Sequence, residues 1–151
     1  MFRLRVGAMT AKPPVVRFSV TVPGRPAPQG SKRLGAQGQM MEQSAYLRPW
    51  RAAVKKAVFE RYLALGVPPG ALPFLRGPVR FAADFWLPTD RPIEGPPDLD
   101  KLVRSTWDAL TAARVWEDDG RVVGLGPVTK RAALFGWLGA KIEIETWEVG
   151  G

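Results

Sequence analysis

Five aspartates in the second half of the sequence are the residues best suited to chemistry. Asp98 and Asp100 form a D-x-D pair, Asp118 and Asp119 are adjacent, and Asp108 lies between the two pairs. The sequence contains no histidine and no cysteine, which excludes a Ser-His-Asp triad, a thiolate nucleophile and metal sites built on those residues. Clustered carboxylates bind hard cations such as Mg²⁺ or Mn²⁺. The sequence therefore indicates carboxylate-based metal or acid–base chemistry, with Lys and Tyr as the other titratable groups.

Each acidic pair also has a purely structural interpretation. Asp98 follows two prolines, which favour extended chain, and precedes a helical apolar pattern, so it can cap a helix N-terminus. Asp100 would then complement the helix dipole, and Asp118 and Asp119 are common turn residues. Capping preference alone explains an isolated D-x-D, so a functional role for these pairs must be supported by the residues around them.

Those surroundings place charges of both signs on one helix. Asp100, Arg104 and Asp108 are spaced i, i+4 and i+8 and share its polar side, and Lys101 is three residues from Asp98. Nearby cations keep carboxylates ionised. Two geometries remain open for a shared metal site. The chain can fold back from the end of the roughly 20 Å helix within one molecule, or a second chain can supply the other pair across a two-fold axis.

Charge is divided unevenly along the chain. Residues 1–80 contain fourteen Lys/Arg and two Glu, a net charge of +12, whereas residues 81–151 contain eight Lys/Arg and twelve Asp/Glu, a net charge of −4. This pattern is typical of a protein that meets a polyanion with one part of its sequence, although a basic surface also serves solubility. The candidate phosphate-binding residues are Arg25, Lys32, Arg33, Arg48, Arg51, Lys55, Lys101, Lys130 and Arg131.

Periodicity predicts four strands and two helices. Alternating apolar residues predict strands at 15–22, 78–88, 121–130 and 136–149, the last two as a hairpin, with Val122 and Val123 buried. A 3.6-residue period predicts one helix from Pro49 to Leu65 and a second from Leu99 to Ala113. Residues 23–40 are rich in Gly and Pro and predict a long basic loop.

The order β-α-β-α-β-β indicates an α+β fold: two layers, with a four-stranded mixed sheet and both helices packed on it. We expect a single domain over 14–149, preceded by a flexible leader over 1–13. No run of apolar residues is long enough to span a membrane, and the absence of cysteine suits a reducing cytoplasm.

The acidic segment as a whole resembles the RusA-type Holliday-junction resolvases, small dimeric endonucleases common in phages and prophages. The resemblance lies in "PDLDKL" and "DALTAARVWEDDGRVV", and "VPGRPAPQGSKR" is similar to the strand and basic loop of that family. It implies a RusA-like fold, Mg²⁺-dependent (or Mn²⁺-dependent) cleavage of four-way DNA junctions in recombination and repair, and a homodimer in the bacterial cytosol or nucleoid.

The resemblance also implies roles for individual residues. Asp98, Asp100 and Asp119 would be metal ligands, Asp118 a supporting acid, and Arg104 a group near the phosphate. The family often has Lys where Arg104 stands and Asn where Lys101 stands; Arg keeps the charge but is poorly suited to proton transfer.

Two other classes of function are compatible with this sequence. One is a non-catalytic basic DNA-binding module, for which the complete acid set would be unnecessary. The other is a phage assembly protein that retains the fold, which leaves the acid spacing unexplained. Phe135 and Trp137 are candidates to stack on unpaired bases at a branch point, or simply to pack within the fold.

Overall fold

The computed structural model describes residues 15–30 and 37–148, with the side chains of 37–44 excluded. The predicted leader, 1–13, lies outside this part. A four-stranded mixed sheet forms one layer, in the order β1-β4-β2-β3, and only the β2–β3 pair is parallel. The strands are β1 (Arg17–Pro23), β2 (Val79–Leu87), β3 (Val122–Ala132) and β4 (Gly139–Thr146). The predicted α+β class and element order are confirmed.

The predicted hairpin between the last two strands is wrong. β2 lies between β3 and β4, and β4 pairs antiparallel with both β1 and β2. The parallel β2–β3 pair requires a long crossover connection, which the second helix supplies. Residues 133–138 then carry the chain across the end of β2.

The first helix, α1 (Gln37–Leu65), begins twelve residues before the predicted start. Pro49 lies inside it rather than in its first turn, so the basic loop is shorter than predicted. Trp50, Val54 and Val58 are buried as expected from their spacing, but Leu65, at the end of the helix, is 45% exposed. The prediction failed at the start because proline usually marks a first turn, and the polar stretch before it has no apolar period.

The second helix, α2 (Leu99–Ala112), agrees closely with the prediction. Its buried stripe packs on the sheet together with α1, and the buried side chains form one continuous core. In the sheet, Ile142 and Ile144 are buried as predicted. Val123 is 49% exposed, against expectation, because β3 is an edge strand and its register with β2 shifts between Val122 and Gly124. No helix within the described residues is long and apolar enough to cross a membrane.

Trp50 joins the two helices and is expected to be a major source of stability. Its side chain is 1% exposed, and its indole Nε1 donates to Thr106 Oγ1 at 3.1 Å. Trp50→Ala should lower the free energy of unfolding by about 3–5 kcal/mol, since it leaves a large cavity. Trp50→Phe keeps most of the apolar contact and should cost clearly less. Urea unfolding measures both values, and equal losses for the two variants would contradict a cavity effect.

Candidate active site

The N-terminus of α2 presents two acidic side chains. Asp98 is the N-cap residue by backbone conformation, but its side chain makes no capping hydrogen bond. Its carboxylate is 62% exposed and lies 3.9 Å from the Lys101 ammonium. Asp100, in the first helical turn, is also exposed. The Asp98 carboxylate therefore does not serve as a helix cap, which was the main argument for a purely structural role of this residue.

The second acidic pair follows the other end of α2. That helix ends in a Schellman motif: Arg114 adopts a φ of 61°, and the amides of Arg114 and Val115 donate to Thr111 and Leu110. The next residues, Val115 and Trp116, are fully buried. This packing fixes where the chain emerges from the helix.

Asp118 and Asp119 then begin a short 3-10 turn, Asp119–Arg121, that leads into β3. Asp118 behaves as a turn residue, because its Oδ1 accepts from the Gly120 amide at 2.6 Å. Asp119 is exposed. The Asp118 carboxylate is therefore committed to local structure, and the Asp119 carboxylate is the one open to a ligand.

The two acidic pairs lie at opposite ends of α2 in one chain. The start of β3 pairs with Val79 at the start of β2, whereas Asp98 follows the end of β2. A 14-residue helix is about 20 Å long, and the chain does not fold back along it. In the described part of the chain, no three acidic residues lie close enough together to hold a metal ion.

Asp108 has a structural partner. Arg51, from α1, contacts the Asp108 carboxylate at 3.0 Å and also donates to the Gln29 side chain at 2.6 Å. These contacts connect the loop after β1, α1 and α2. Arg104, which shares the polar side of α2, is exposed and has no ion pair within the described residues. Of the three residues expected to share the polar side of α2, Asp100 and Arg104 are therefore exposed, whereas Asp108 takes part in a contact between the two helices.

The candidate phosphate-binding residues are spread over several elements. Arg48 is exposed and Lys55 is half-buried on α1, whereas Arg51, also on α1, is engaged as described. Arg25 lies 3.9 Å from the centre of the Tyr46 ring. Lys32 and Arg33 lie outside the described residues.

Of the remaining three cations, Lys130 and Lys101 lie beside the Asp98 end of α2. Arg131 lies on the face of the sheet opposite the helices, with Trp86 and Asp84. Lys130 donates to the carbonyls of Gly95 and Pro97, at 2.9 and 3.1 Å, so it holds the segment just before Asp98. Arg131 is half exposed and lies 3.4 Å from Asp84. Lys101 contacts Asp98 through its side chain.

One positioning residue was not predicted from the sequence. The Gln29 amide donates to the Lys101 carbonyl at 3.0 Å, so the loop after β1 is hydrogen-bonded directly to the first turn of α2. No spacing signal marks such a backbone contact. Tyr62, by contrast, loses its place among acid–base candidates: its hydroxyl is buried and donates to the Ala113 carbonyl. Burial raises the pKa of the Tyr62 phenol well above its usual range, an effect only partly offset by Arg114.

The donor set at the start of α2 suits Mg²⁺ in part. This ion commonly takes one or two carboxylates and fills its other positions with water and phosphate oxygens. Asp98 and Asp100 provide two exposed carboxylates at one helix terminus, while a third ligand from Asp119 must come from elsewhere.

Residues 23–145 match the family described as endodeoxyribonuclease RusA. The matched region includes all of α1, α2, β2 and β3 and both acidic pairs. No curated protein matches the chain. Since the match covers most of the sequence, the chain belongs to the RusA family of endodeoxyribonucleases.

Proposed function

We propose that this protein is a Mg²⁺-dependent endodeoxyribonuclease that cleaves four-way junctions and related branched DNA in recombination and repair; Mn²⁺ would serve as a substitute ion. The observation that carries the proposal is the open pair of carboxylates at the start of α2, in a chain of the RusA family. An acid that caps its own helix would need no ligand, whereas the Asp98 side chain makes no such bond.

Asp98 and Asp100 are the proposed primary metal ligands. They lie two residues apart at the positive end of the α2 dipole, which stabilises negative charge there. A bound Mg²⁺ supplies Lewis acidity, which acidifies water and neutralises charge on a phosphodiester. The Lys101 ammonium lies beside Asp98, 3.9 Å from its carboxylate.

Arg104 is proposed to stabilise the phosphate rather than to transfer a proton. It lies one helical turn after Asp100 and is exposed, and a guanidinium donates hydrogen bonds but does not accept them. A guanidinium donates to two phosphate oxygens at once. The negative charge that develops as the phosphodiester is attacked would therefore meet a fixed positive group.

Asp119 is proposed to act in the active site of a second chain. Within one chain it lies about 20 Å from Asp98, a helix length away. A symmetric homodimer can bring the Asp119 end of one molecule to the Asp98 end of its partner, twice, across a two-fold axis. Two sites so related would match the two equivalent strands of a four-way junction. Asp118 then orders the turn that carries Asp119.

The basic residues are proposed to bind DNA backbones without reading sequence. Arg25, Arg48 and Lys55 are three candidates that make no ion pair within the described part of the chain, and residues 1–80 carry a net charge of +12. Contacts of this kind supply non-specific affinity through counterion release. Arg51 is engaged by Asp108 and would contribute mainly by fixing the helices.

The direct test is to incubate the protein with a synthetic four-way junction. With Mg²⁺ we expect paired cuts near the branch point; with EDTA we expect binding without cleavage, because the ion is needed for the chemistry. A linear duplex of the same sequence serves as the control and should remain intact. Binding without cleavage in Mg²⁺ and in Mn²⁺ would favour a non-catalytic DNA-binding module, and failure to bind DNA would favour an assembly protein.

A further inference from the structure

The loop between β3 and β4 contains a phenylalanine in an unusual backbone conformation. Phe135 has a φ of 52° and Gly136 a φ of 78°, and the Trp137 amide donates to the Leu134 carbonyl at 2.9 Å. These features define a type I′ turn, whose central positions favour Gly, Asn and Asp. A large side chain at positive φ is a rare arrangement, and such residues cluster at functional sites.

The Phe135 side chain contributes no packing to the fold. Its relative exposure is 106%, so the whole ring projects into solvent. Leu134, beside it, is 62% exposed. A residue that is strained and also fully exposed adds no packing to the described part of the chain, which suits a role in contact with another molecule.

The base of the turn, unlike its tip, is firmly held. The Trp137 ring meets the Trp86 ring edge to face, with centroids 5.6 Å apart. A side chain at Gly139 would collide with the Trp137 ring and with the Val22 carbonyl, so the indole fits closely over the glycine. The Phe135 ring is therefore carried on a rigid support.

This turn belongs to the same end of the molecule as the proposed metal ligands. The Ala133 amide donates to the Leu87 carbonyl at 2.9 Å, at the point where β2 ends. Lys130, three residues earlier, contacts the carbonyl of Pro97, the residue before Asp98. The tip thus extends from a structure that is hydrogen-bonded to the segment carrying the acids.

Two cations lie beside the base of the turn. The cationic groups of Arg131 and Lys141 each lie 5.8 Å from the centre of the Trp86 ring, and the Arg131 side chain is 54% exposed. A hydrophobic ring flanked by cations suits a ligand with flat apolar faces joined by phosphates. Nucleic acid bases that have lost a stacking neighbour have this character.

We propose that Phe135 is a wedge that stacks on a base exposed at the branch point of the DNA substrate, beside the strand to be cut. The proposal rests on the proposed function and names the feature of the substrate that this part of the protein recognises. Intact duplex DNA offers no exposed base face except at its ends, so the wedge favours branched over linear DNA. Trp137 supports the turn and does not itself stack on the base.

Phe135→Gly tests the wedge with little risk to folding, because glycine suits the positive φ. We expect an unchanged or higher melting temperature, unchanged binding to linear duplex, and junction cleavage reduced about tenfold, in line with the loss of one stacked base. Phe135→Trp keeps an aromatic face and should retain most of the cleavage. Leu63→Ala removes an apolar side chain that is 81% exposed on α1, and should change nothing.

A direct readout uses 2-aminopurine placed at the branch point, with EDTA present to prevent cutting. Wild-type protein should change its fluorescence as the Phe135 ring stacks on the base, and Phe135→Gly should not. Wild-type cleavage rates in Phe135→Gly would overturn the wedge, as would dissociation of a wild-type dimer by that substitution. If wild-type protein gives the fluorescence change yet never cuts a junction with Mg²⁺, the proposed function fails and the wedge stands.

Discussion

Asp100→Asn is expected to abolish cleavage of a four-way junction while leaving the fold and the affinity for junctions close to wild type. The amide has nearly the shape of the carboxylate but not its charge, so it holds Mg²⁺ poorly. Asp100 is exposed and makes no ion pair within the described part of the chain, so its replacement removes no internal contact. We expect the single-turnover cleavage rate to fall more than about 100-fold, since even residues that only support a metal ligand change activity 10–100-fold.

Asp108→Asn is the matched control on the same helix. Asp108 contacts Arg51 at 3.0 Å in a partly exposed pair, and it is not a proposed ligand. Its replacement should cost about 1 kcal/mol or less of stability, because solvent screens such pairs, and should leave cleavage largely intact. Wild-type cleavage by Asp100→Asn at ordinary Mg²⁺ concentrations would remove this residue from the metal site.

The sequence predicted the elements that follow a simple period. Leu102, Thr106 and Leu110 recur at helical spacing and are buried in α2, and Ile142 and Ile144 alternate with exposed or half-exposed residues in β4. In these segments one face meets the core and the other meets solvent. The local pattern therefore carries the full information about which element forms.

The sheet order was beyond what the local pattern contains. The sequences of β3 and β4 contain no signal that β2 lies between them, because that arrangement depends on where the α2 crossover places β3. The start of α1 was missed for a related reason: the residues before Pro49 have no apolar stripe, and a proline inside a helix is read from sequence as its beginning. The exposure of Val123 follows from the edge position of β3 and from its register shift.

For the site, the sequence identified the acids but not their relation in space. Spacing left open whether Asp98 and Asp119 meet in one chain. The Schellman motif at Arg114 and the burial of Val115 and Trp116 direct the chain away from the start of α2. The Arg51–Asp108 contact is also absent from any local pattern, since its partners are 57 residues apart.

We propose that each active site of this nuclease combines Asp98 and Asp100 of one chain with Asp119 of another. It is tested by preparing Asp98→Asn and Asp119→Asn proteins, each expected to be inactive alone, and refolding them together. Half of the randomly assembled dimers are mixed, and each mixed dimer has one intact site, so about a quarter of all sites should be active. Because the intact sites are single, we expect nicked junctions rather than paired cuts.

A mixture of Asp98→Asn with Asp100→Asn is the matched control. Both substitutions affect the same half of a shared site, so every site in that mixture is defective and it should stay inactive. Sedimentation confirms that the mixed samples are dimeric. We expect junction nicking by the first mixture alone. No activity in either mixture, with dimers present and wild-type protein active after the same refolding, would contradict a shared site.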